Sequence, residues 1–480
     1  MGEKQDEMKG FAFNGSVRVE ARDTRLTSNA GALLIREAME RSGLLASLKK
    51  NLEDPRNAAL ITHPLSELVA TRLCLLALGH RDQDDADAFR SDAALKLAVS
   101  ERRGTSPLEH EPDELGRVPR NPEVPHGLPS QPTLSRLTAV LAEEDNRAWL
   151  REELLATPAR VSRFENGGRR RQTVTVDVDA LPISVEGQQP GSAYNGHYRQ
   201  RMYYPLVATI GDGGAIVDLV LHQGNAHCAE GGLEFISPLV DRLERELCVV
   251  AAVRIDAGMP DDKLLSGMED RPAPTPYVAR VKNNAVLDRL AMPFLKRPPG
   301  RRPNEERTWF HELTYAAQSW SRERRVVLVV IDRPDELLLQ HFWLITNWTA
   351  EQCSGADLLE HYRTRGCAEG YMGELMNVLQ PALSSSPRSA TNPCDSFEIN
   401  EATLLLNALA YNVMDLLRRM LERRTKEGWS VKRLRERALR VAGRFIVHAR
   451  RPVLSLDRAA ARFWRWLVYE LRLLPKLRAG

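Results

Sequence analysis

Three acidic residues stand where their carboxylates could do chemistry together. Asp179 lies on a run with the alternation of a β-strand, and Asp256 directly follows an apolar run typical of a buried strand. Glu369 lies in a later segment with helical spacing. Hard divalent cations take oxygen ligands gathered from separate elements, and two such ions about 3.5–4 Å apart can assist both oxygens of a phosphodiester exchange. The three acids therefore predict metal-dependent phosphoryl transfer.

The first strand offers two candidate acids. Asp177 and Asp179 alternate with Val174, Val176 and Val178, so both carboxylates point to one face of the strand and the valines to the other. Either acid could bind the metal, and either could instead be paired as a structural acid. Asp177 is therefore kept as a second candidate beside Asp179.

The helical segment from Ala356 to Met376 adds two supporting residues. Tyr362 and Arg365 precede Glu369 by seven and four residues, so the three side chains share one face of a helix. A tyrosine and an arginine beside a glutamate can orient it and balance its charge. We expect Tyr362 and Arg365 to support Glu369.

The elements around these residues predict a mixed α/β fold. Two β-like runs joined by a Gly-rich turn follow the first strand, and a helical stretch, the strand before Asp256, a second helix and a further strand come next. Three meandering strands followed by alternating helix and strand fit a mixed sheet with helices on both faces. Three more β-like runs precede the helix of Glu369: 308–319, 325–331 and 342–348.

Changes in pattern along the chain set the predicted boundaries of its regions. The regions are a helical N-terminal region for DNA binding or dimerisation (1–165), the first part of the catalytic core (166–285), a β-rich insertion (286–354), the last catalytic helix (355–389) and a basic helical C-terminal region (390–480). Helices therefore flank the core at both ends of the chain.

Several short motifs resemble one family of enzymes. The run Tyr362–Glu369 resembles the Y-x2-R-x3-E part of the YREK signature of bacterial insertion-sequence DDE transposases. The segments with similarity to that class are Val176–Ala180, Arg254–Gly258, Tyr194–His197, Tyr204–Leu206 and Gly224–His227. Together they most resemble the insertion-sequence family numbered 1380, over roughly residues 25–475.

The resemblance implies a fold and a set of roles. It implies an RNase H-like core with a β-rich insertion before the last catalytic helix, and dependence on two Mg²⁺ ions, with Mn²⁺ as a substitute. Asp179, Asp256 and Glu369 would be the catalytic metal ligands, and Asp179 is favoured over Asp177 because the residues after it match the family's strand exit. The sequence departs from the family at Met376, where a basic residue is usual.

The net charge of +3 hides a split between the two ends of the chain. Residues 401–480 contain 19 lysines and arginines but only 7 acidic residues, or +12, whereas the first 400 residues carry −9. Such asymmetry favours an anion-binding end, here for DNA phosphates. The predicted DNA contacts are Arg199, Arg201, Lys282, Lys296, Arg297, Arg301, Arg302, Arg433 and Arg437.

Other compositional features narrow the class of protein. The six cysteines are scattered and form no C-x-x-C pair, which argues against a disulfide framework or a structural zinc site. No apolar run reaches the length of a membrane span, and the N-terminus is too polar for a signal peptide. We expect a cytoplasmic bacterial protein, associated with the nucleoid, with no membrane partner.

These expectations combine into one function and two alternatives. A transposase would bind terminal inverted repeats as a dimer on double-stranded DNA, cut by metal-activated hydrolysis, and join the freed 3′-OH to target DNA by transesterification. One alternative is a structure-selective nuclease with the same core and no strand transfer. The other is a DNA-binding protein derived from a transposase whose catalytic centre is inactive.

Overall fold

The computed structural model describes most of the chain. The described residues are 11–14, 16–17, 24–108, 127–171, 173–211, 213–300, 304–383, 396–449 and 451–477. Two of the predicted DNA contacts, Arg301 and Arg302, lie outside them, as does Cys394. No helix in these ranges combines the length and the apolar character needed to cross a membrane.

The N-terminal region is helical after one short strand, as predicted. Its elements are β1 (Arg25–Thr27), α1 (Ala32–Arg41), α2 (Leu44–Asn51), α3 (Leu65–Leu78), α4 (Asp85–Ala88), α5 (Ala93–Val99), α6 (Gln131–Ala142) and α7 (Glu144–Glu165). The apolar faces of these helices bury leucines, and burial of such side chains is the main stabilising contribution to a helical layer.

Strands and helices alternate in the middle of the chain. The elements are β2 (Thr173–Ala180), β3 (Ile183–Ser184), β4 (Ala193–Asn195), β5 (Gln200–Tyr203), β6 (Leu206–Ile210), β7 (Ile216–Val220), α8 (Gly232–Glu246), β8 (Val249–Ile255), α9 (Asp262–Glu269), β9 (Tyr277–Val281), α10 (Ala285–Ala291), β10 (Arg307–Tyr315), β11 (Arg324–Asp332) and β12 (Gln340–Thr346).

The last part of the chain carries the helix of Glu369 and a long apolar helix. The elements are α11 (Gly355–Arg363), α12 (Arg365–Glu374), α13 (Ser396–Thr425), α14 (Val431–Leu434), β13 (Gly443–His448), β14 (Arg451–Leu456) and α15 (Arg458–Leu473). Two π-helical turns continue α12 and α14, at Leu375–Leu379 and Arg435–Leu439.

One eight-stranded sheet organises the middle of the chain. Its strand order is β10-β11-β12-β9-β8-β2-β6-β7. Strand β6 runs antiparallel to β2, and β7 runs antiparallel to β6. Strands β8 and β9 run parallel to β2. Three meandering strands followed by two parallel strands, with helices on both faces, confirm the predicted mixed α/β fold. The parallel strands need helical crossovers, which α8 and α9 supply.

The alternating residues of β2 point to opposite faces of the sheet, as predicted. The three valines, Val174, Val176 and Val178, are buried in a core shared with α8 and α9. The opposite face of the sheet packs against α11 through a smaller core that includes Leu358 and Leu359. Asp177 and Asp179 therefore point to the side of the sheet where α11 and α12 lie.

The region predicted as a β-rich insertion extends the eight-stranded sheet. Strand β12 pairs antiparallel with β9, so β10, β11 and β12 continue the same sheet beyond β9. The insertion's strands begin and end within a few residues of the predicted positions. Its tryptophans mostly pack inside: Trp343 is fully buried, and Trp309 and Trp320 pack against the core that β2 shares.

The long helix α13 joins the helical region to the sheet. Its side chains are buried almost continuously from Ile399 to Leu421 among the N-terminal helices. Asn412 accepts a hydrogen bond from the Ile216 backbone N–H at 2.9 Å and donates one to the Ile216 carbonyl at 2.8 Å. The side-chain amide thereby satisfies the backbone groups of Ile216 on β7, the edge strand of the sheet. Unpaired backbone groups on an edge strand would otherwise favour aggregation.

Two sequence expectations for secondary structure were wrong. The helix predicted as continuous from Ala356 to Met376 is divided at Thr364 into α11 and α12. Within the C-terminal region predicted to be helical (390–480), the helical segment that begins at Val431 ends before Gly443, and β13 and β14 follow as a hairpin that pairs with β1. The reason is local, since Phe445–Val447 is aromatic and β-branched and Pro452 cannot continue a helix.

Candidate active site

Three separate elements bring the predicted acids to one edge of the sheet. Asp179 is the seventh residue of β2, and Asp256 directly follows β8, which runs parallel to β2. The carboxyl ends of parallel strands lie at the same edge of a sheet, which places the two acids side by side. Glu369 reaches the same edge from α12, on the face of the sheet that both carboxylates occupy.

A single guanidinium joins the three acids. Arg365 donates a hydrogen bond from one Nη to Asp179 at 2.6 Å and from the other Nη to Glu369 at 2.7 Å. That second Nη also lies 3.5 Å from a carboxylate oxygen of Asp256. The Arg365 side chain is only 8% exposed, whereas Asp256 and Glu369 face solvent. The predicted pairing of Arg365 with Glu369 is therefore present and extends to the other two acids.

Burial and charge alter the acidity of Asp179. Burial, together with the negative charges of Asp256 and Glu369, raises the pKa of its carboxyl to about 6, against the lowering effect of Arg365 and the Ala180 N–H. Asp179 is thus harder to ionise than an ordinary aspartate. A second positive charge near it would favour its ionised form.

Replacing Asp179 with Asn should stabilise the folded protein at neutral pH. The folded-state pKa of about 6 lies above the ordinary value of 3.8, so the folded state binds more protons between those values and its stability falls as pH rises through them. The neutral amide avoids that cost, and we expect a gain on the order of 1–3 kcal/mol near pH 7 that vanishes below about pH 4. Urea unfolding at several pH values measures it. A loss of stability at neutral pH would show that the pairing with Arg365 outweighs burial.

The donor chemistry of the site fits a divalent cation. Carboxylate oxygens on β2, β8 and α12 are the ligands that Mg²⁺ and Mn²⁺ accept. Within the part of the chain that the structure describes, no three or more His, Cys, Asp and Glu side chains are arranged so that they could hold a metal ion. Arg365 is the cation that the acids share, so a divalent ion would have to replace its contacts with at least two of them.

The second candidate acid, Asp177, is engaged in a buried ion pair. Its side chain is 1% exposed and accepts two hydrogen bonds from Arg254, at 2.6 and 2.7 Å. The other Nη of Arg254 donates to the carbonyl of His361 at 2.9 Å and to the hydroxyl of Thr364. Asp177 and Arg254 therefore connect β2 and β8 to the point where α11 meets α12, and they position the helix of Glu369.

Two further contacts fix α12 from its other side. The ring of Tyr371 packs on Gly214, where a Cβ would lie 2.7 Å from the ring, and Arg418 of α13 stacks on the same ring at 5.3 Å. Arg418 also donates to the Gly213 carbonyl at 3.1 Å. The turn between β6 and β7 and the long helix α13 thus hold the helix that carries Glu369.

The predicted supporting residues of the helix lie in different environments. Tyr362 packs against the small core under α11, and burial raises the pKa of its hydroxyl, while Asp256 and Glu369 are close enough to interact with it. Met376, in place of the family's basic residue, lies in the π-helical turn and packs partly against the helical core. Tyr362 therefore borders the acids, and Met376 contributes to packing.

The predicted DNA contacts divide into two groups. Arg199, Lys282, Lys296 and Arg437 are exposed, and Lys282 directly follows β9, at the same edge of the sheet as Asp256. The remaining described ones have partners within the protein: Arg201 donates to Ser192, Arg297 pairs with Asp332, and Arg433 pairs with Glu427 and stacks on Trp429.

The sequence interpretation did not assign roles to Arg254, Tyr371 and Arg418. A signal existed for Arg254, because an arginine inside an apolar strand needs a buried partner and the neighbouring strand supplies Asp177. Arg418 lies in an apolar helix three residues after its partner Asp415, but its contacts with Gly213 and Tyr371 join segments distant in sequence.

Comparisons with known proteins find a matching family model and a similar solved structure. A family model described as Transposase DDE domain group 1 matches residues 9–474. Among solved structures, the chain is similar to the piggyBac transposase in a cryo-EM synaptic complex with hairpin DNA, at 12% identity and a TM-score of 0.39, covering 93% of this chain and 84% of that chain. No curated protein matches the chain.

Proposed function

Because the chain belongs to the DDE transposase domain group 1 family, we propose that it cuts DNA at the ends of a mobile element and joins the freed 3′-OH to target DNA. The observation that carries the proposal is the convergence of Asp179, Asp256 and Glu369 on one cation, Arg365. The acids come from three elements of one sheet edge, as a centre for divalent ions on a phosphodiester requires.

Each residue of the site has its own role in the proposed reaction. Asp179, Asp256 and Glu369 would hold the divalent ions, which would supply stabilisation of negative charge during phosphoryl transfer. Tyr362 borders the acids from α11, and the pair of Asp177 and Arg254 keeps α12 in place. The exposed Lys282 at the same edge is suited to bind a DNA phosphate as a point charge.

The DNA surface extends beyond the acids. Exposed Lys296 and Arg437 join Lys282 and Arg199 as candidate phosphate contacts. Recognition of terminal inverted repeats brings two ends together, and a dimer on DNA is the simplest assembly that processes both. Helix α13 lies in the core, so removal of residues 401–480 would remove a core helix. The basic C-terminal surface is therefore best tested by charge-reversal variants at exposed residues.

Incubation with Mg²⁺, a labelled duplex carrying the element's ends, and a supercoiled target plasmid tests the proposal. The expected result is cleavage at the ends together with a labelled product joined to the plasmid. Cleavage with no joined product would favour the structure-selective nuclease. Binding with no cleavage in either Mg²⁺ or Mn²⁺ would favour the inactive DNA-binding protein.

Replacing Arg365 with Gln should strengthen binding of Mn²⁺ by the DNA-free protein. The guanidinium contacts all three acids, and its positive charge opposes the approach of a second cation to them. We expect the dissociation constant for Mn²⁺ to fall about tenfold or more. Titration calorimetry or the loss of the free Mn²⁺ EPR signal measures the change.

Arg363 provides the matched control for that measurement. It lies two residues away and pairs with Glu306 on the surface. Arg363→Gln should leave Mn²⁺ binding unchanged. Equal or weaker Mn²⁺ binding by Arg365→Gln would contradict the competition between Arg365 and the metal.

A further inference from the structure

A two-stranded ribbon in the C-terminal region presents a surface that the proposed reaction does not use. The ribbon consists of β13 and β14, and with β1 it forms a three-stranded sheet separate from the eight-stranded one. Its outward face carries Ile446 and Val453, which lie opposite each other, and β1 adds Leu26. These three side chains are 45–66% exposed. Apolar side chains that cluster on the surface of a monomer mark a binding site.

The inward face of the ribbon is packed, which fixes the direction of the outward side chains. Phe445 is buried beside the first residues of α5, and Leu454, its partner across the ribbon, packs against the same cluster. Neighbouring residues of a strand point to opposite faces, so Arg444 and Ile446 point away from that cluster. Gly443 lies so close to β14 that a Cβ would be 2.6 Å from the Leu454 side chain. A surface fixed before binding loses little entropy when a ligand arrives.

The outward face of the ribbon is basic and contains no acid. Arg444, His448 and Arg451 are exposed on it, and residues 443–456 include no Asp or Glu. Among the residues that the structure describes, none pairs with these three side chains. The first acid after the ribbon, Asp457, accepts a hydrogen bond from the Ala459 N–H as the cap of α15. The positive charge of the ribbon is therefore available to an anionic partner.

The shape and charge of the ribbon suit the major groove of duplex DNA. Two paired strands lie about 4.8 Å apart, and a groove about 12 Å wide admits a two-stranded ribbon. Arginines bind phosphate oxygens and guanine edges, and apolar side chains such as Ile446 and Val453 can contact the methyl group of thymine. Exposed Arg437 and Arg440 lie in and after the π-helical turn that leads into β13, so the basic surface continues along the chain.

A second copy of the chain fits this surface less well than DNA. Contact between the outward faces of two copies would bring Arg444 and Arg451 of both together with no acid to balance them, and like charges across an interface repel. Pairing through the edge strand β14 is disfavoured by Pro452, which has no N–H to donate to a further strand. Both routes to self-association are therefore opposed by the ribbon's own residues.

We propose that the ribbon inserts its outward face into the major groove of duplex DNA, with Arg444 and Arg451 on phosphates or base edges. Ile446 and Val453 then lie against the bases. The inference rests on the proposed function, because it assigns the ribbon to the DNA that the acids process. Since the ribbon belongs to a different sheet from Asp179, it contributes to binding of the duplex and not to the chemical step.

Methylation protection tests the position of the ribbon on DNA. The probe is a labelled duplex carrying the element's end, bound in Ca²⁺ so that no cleavage occurs, and treated with dimethyl sulfate, which methylates guanine N7 in the major groove. Some guanines that the parent protects should become reactive in the double variant Arg444→Ala/Arg451→Ala. Identical protection by the parent and the double variant would overturn the proposal.

Affinity and its salt dependence provide a second test with a matched control. Arg444→Ala/Arg451→Ala should weaken duplex binding about tenfold or more and lower the slope of log Kd against log salt by about one to two. Arg245→Ala/Arg322→Ala removes the same charge from exposed arginines that pair with surface acids, and it should stay within about threefold of the parent. Equal weakening by the two double variants would show a general charge effect and overturn the ribbon's role.

Sedimentation of the DNA-free protein tests the rival partner. Val453→Lys adds a positive charge to the outward face, and it should sediment as the parent does. A parent dimer that Val453→Lys dissociates would show that the face binds a second copy, which would overturn the proposal.

The outcomes separate this inference from the proposed function. Equal duplex affinity and equal salt dependence of the parent and Arg444→Ala/Arg451→Ala, in a protein that still cleaves and joins DNA, would overturn the ribbon's role alone. Failure of the parent to bind the duplex would overturn both. Weaker duplex binding by the double variant, with the parent's unfolding midpoint and with cleavage restored at saturating DNA, would support a ribbon that binds DNA away from the acids.

Discussion

Replacing Glu369 with Gln is expected to reduce DNA cleavage by about a thousandfold or more while the protein remains folded. The substitution removes one of the three carboxylates that converge on Arg365 and keeps the shape of the side chain. Stabilisation of the transition state by divalent ions contributes several kcal/mol, and each 1.36 kcal/mol corresponds to a factor of ten in rate. The measurement is the initial rate of end cleavage in saturating Mg²⁺.

Glu360 supplies a matched control on the preceding helix. It is an exposed glutamate of α11, and Glu360→Gln should cleave DNA at the parent's rate. Since Glu369 is itself largely exposed, the unfolding midpoint of Glu369→Gln should differ little from the parent's. If Glu369→Gln cleaved DNA as fast as Glu360→Gln, then α12 would not contribute a catalytic acid.

Replacing Arg254 with Met is expected to cost about 3–5 kcal/mol of folding free energy. The loss leaves the carboxylate of Asp177 buried without its bidentate partner, and a buried unpaired charge is among the most destabilising changes that one residue can cause. It also removes the hydrogen bonds that Arg254 donates to the carbonyl of His361 and to the hydroxyl of Thr364 at the junction of α11 and α12. Equilibrium unfolding in urea measures the change.

The double variant separates the charge effect from the loss of packing. Asp177→Asn combined with Arg254→Met removes both charges, and it should be more stable than Arg254→Met alone because no uncompensated carboxylate remains. The surface pair of Arg363 and Glu306 is the comparison, where Arg363→Met should change stability little. A change of similar size at both arginines would contradict the structural role assigned to Arg254.

The periodicity of the sequence predicted the sheet well because each strand's pattern is local. The alternation of Val174, Val176 and Val178 predicted which face of β2 is buried, and the structure confirms it. The order of strands and helices likewise predicted the mixed sheet. The family membership confirms the resemblance at the level of the DDE transposases, while the assignment to the insertion-sequence family numbered 1380 stays a prediction.

The sequence patterns could not predict contacts between residues that are far apart in the chain. Helical spacing placed Arg365 beside Glu369 but could not show that the same guanidinium reaches Asp179 and Asp256 across the sheet edge. Alternation put Asp177 and Asp179 on one face, and only the position of Arg254 distinguishes the buried acid from the one at the site. Such distinctions depend on tertiary packing, which overrides local pattern.

The fold shows how the basic residues of the C-terminal region are placed. The C-terminal region that carries the excess of basic residues begins with α13, which is the central helix of the apolar core. Several of its basic residues have partners within the fold: Arg418 is buried and pairs with Asp415, and Arg433 pairs with Glu427. The predicted surface for DNA is accordingly smaller than the net charge alone indicated.

Site-directed cleavage of the polypeptide by Fe²⁺ tests the central claim most directly. Fe²⁺ bound in place of Mg²⁺ generates hydroxyl radicals with ascorbate and peroxide, and these cut the backbone next to the metal. With DNA present, we predict fragments that end near Asp179, Asp256 and Glu369, their suppression by excess Mg²⁺, and their loss in Glu369→Gln. Fragments that end elsewhere, or that persist in excess Mg²⁺, would contradict a metal centre formed by these three acids.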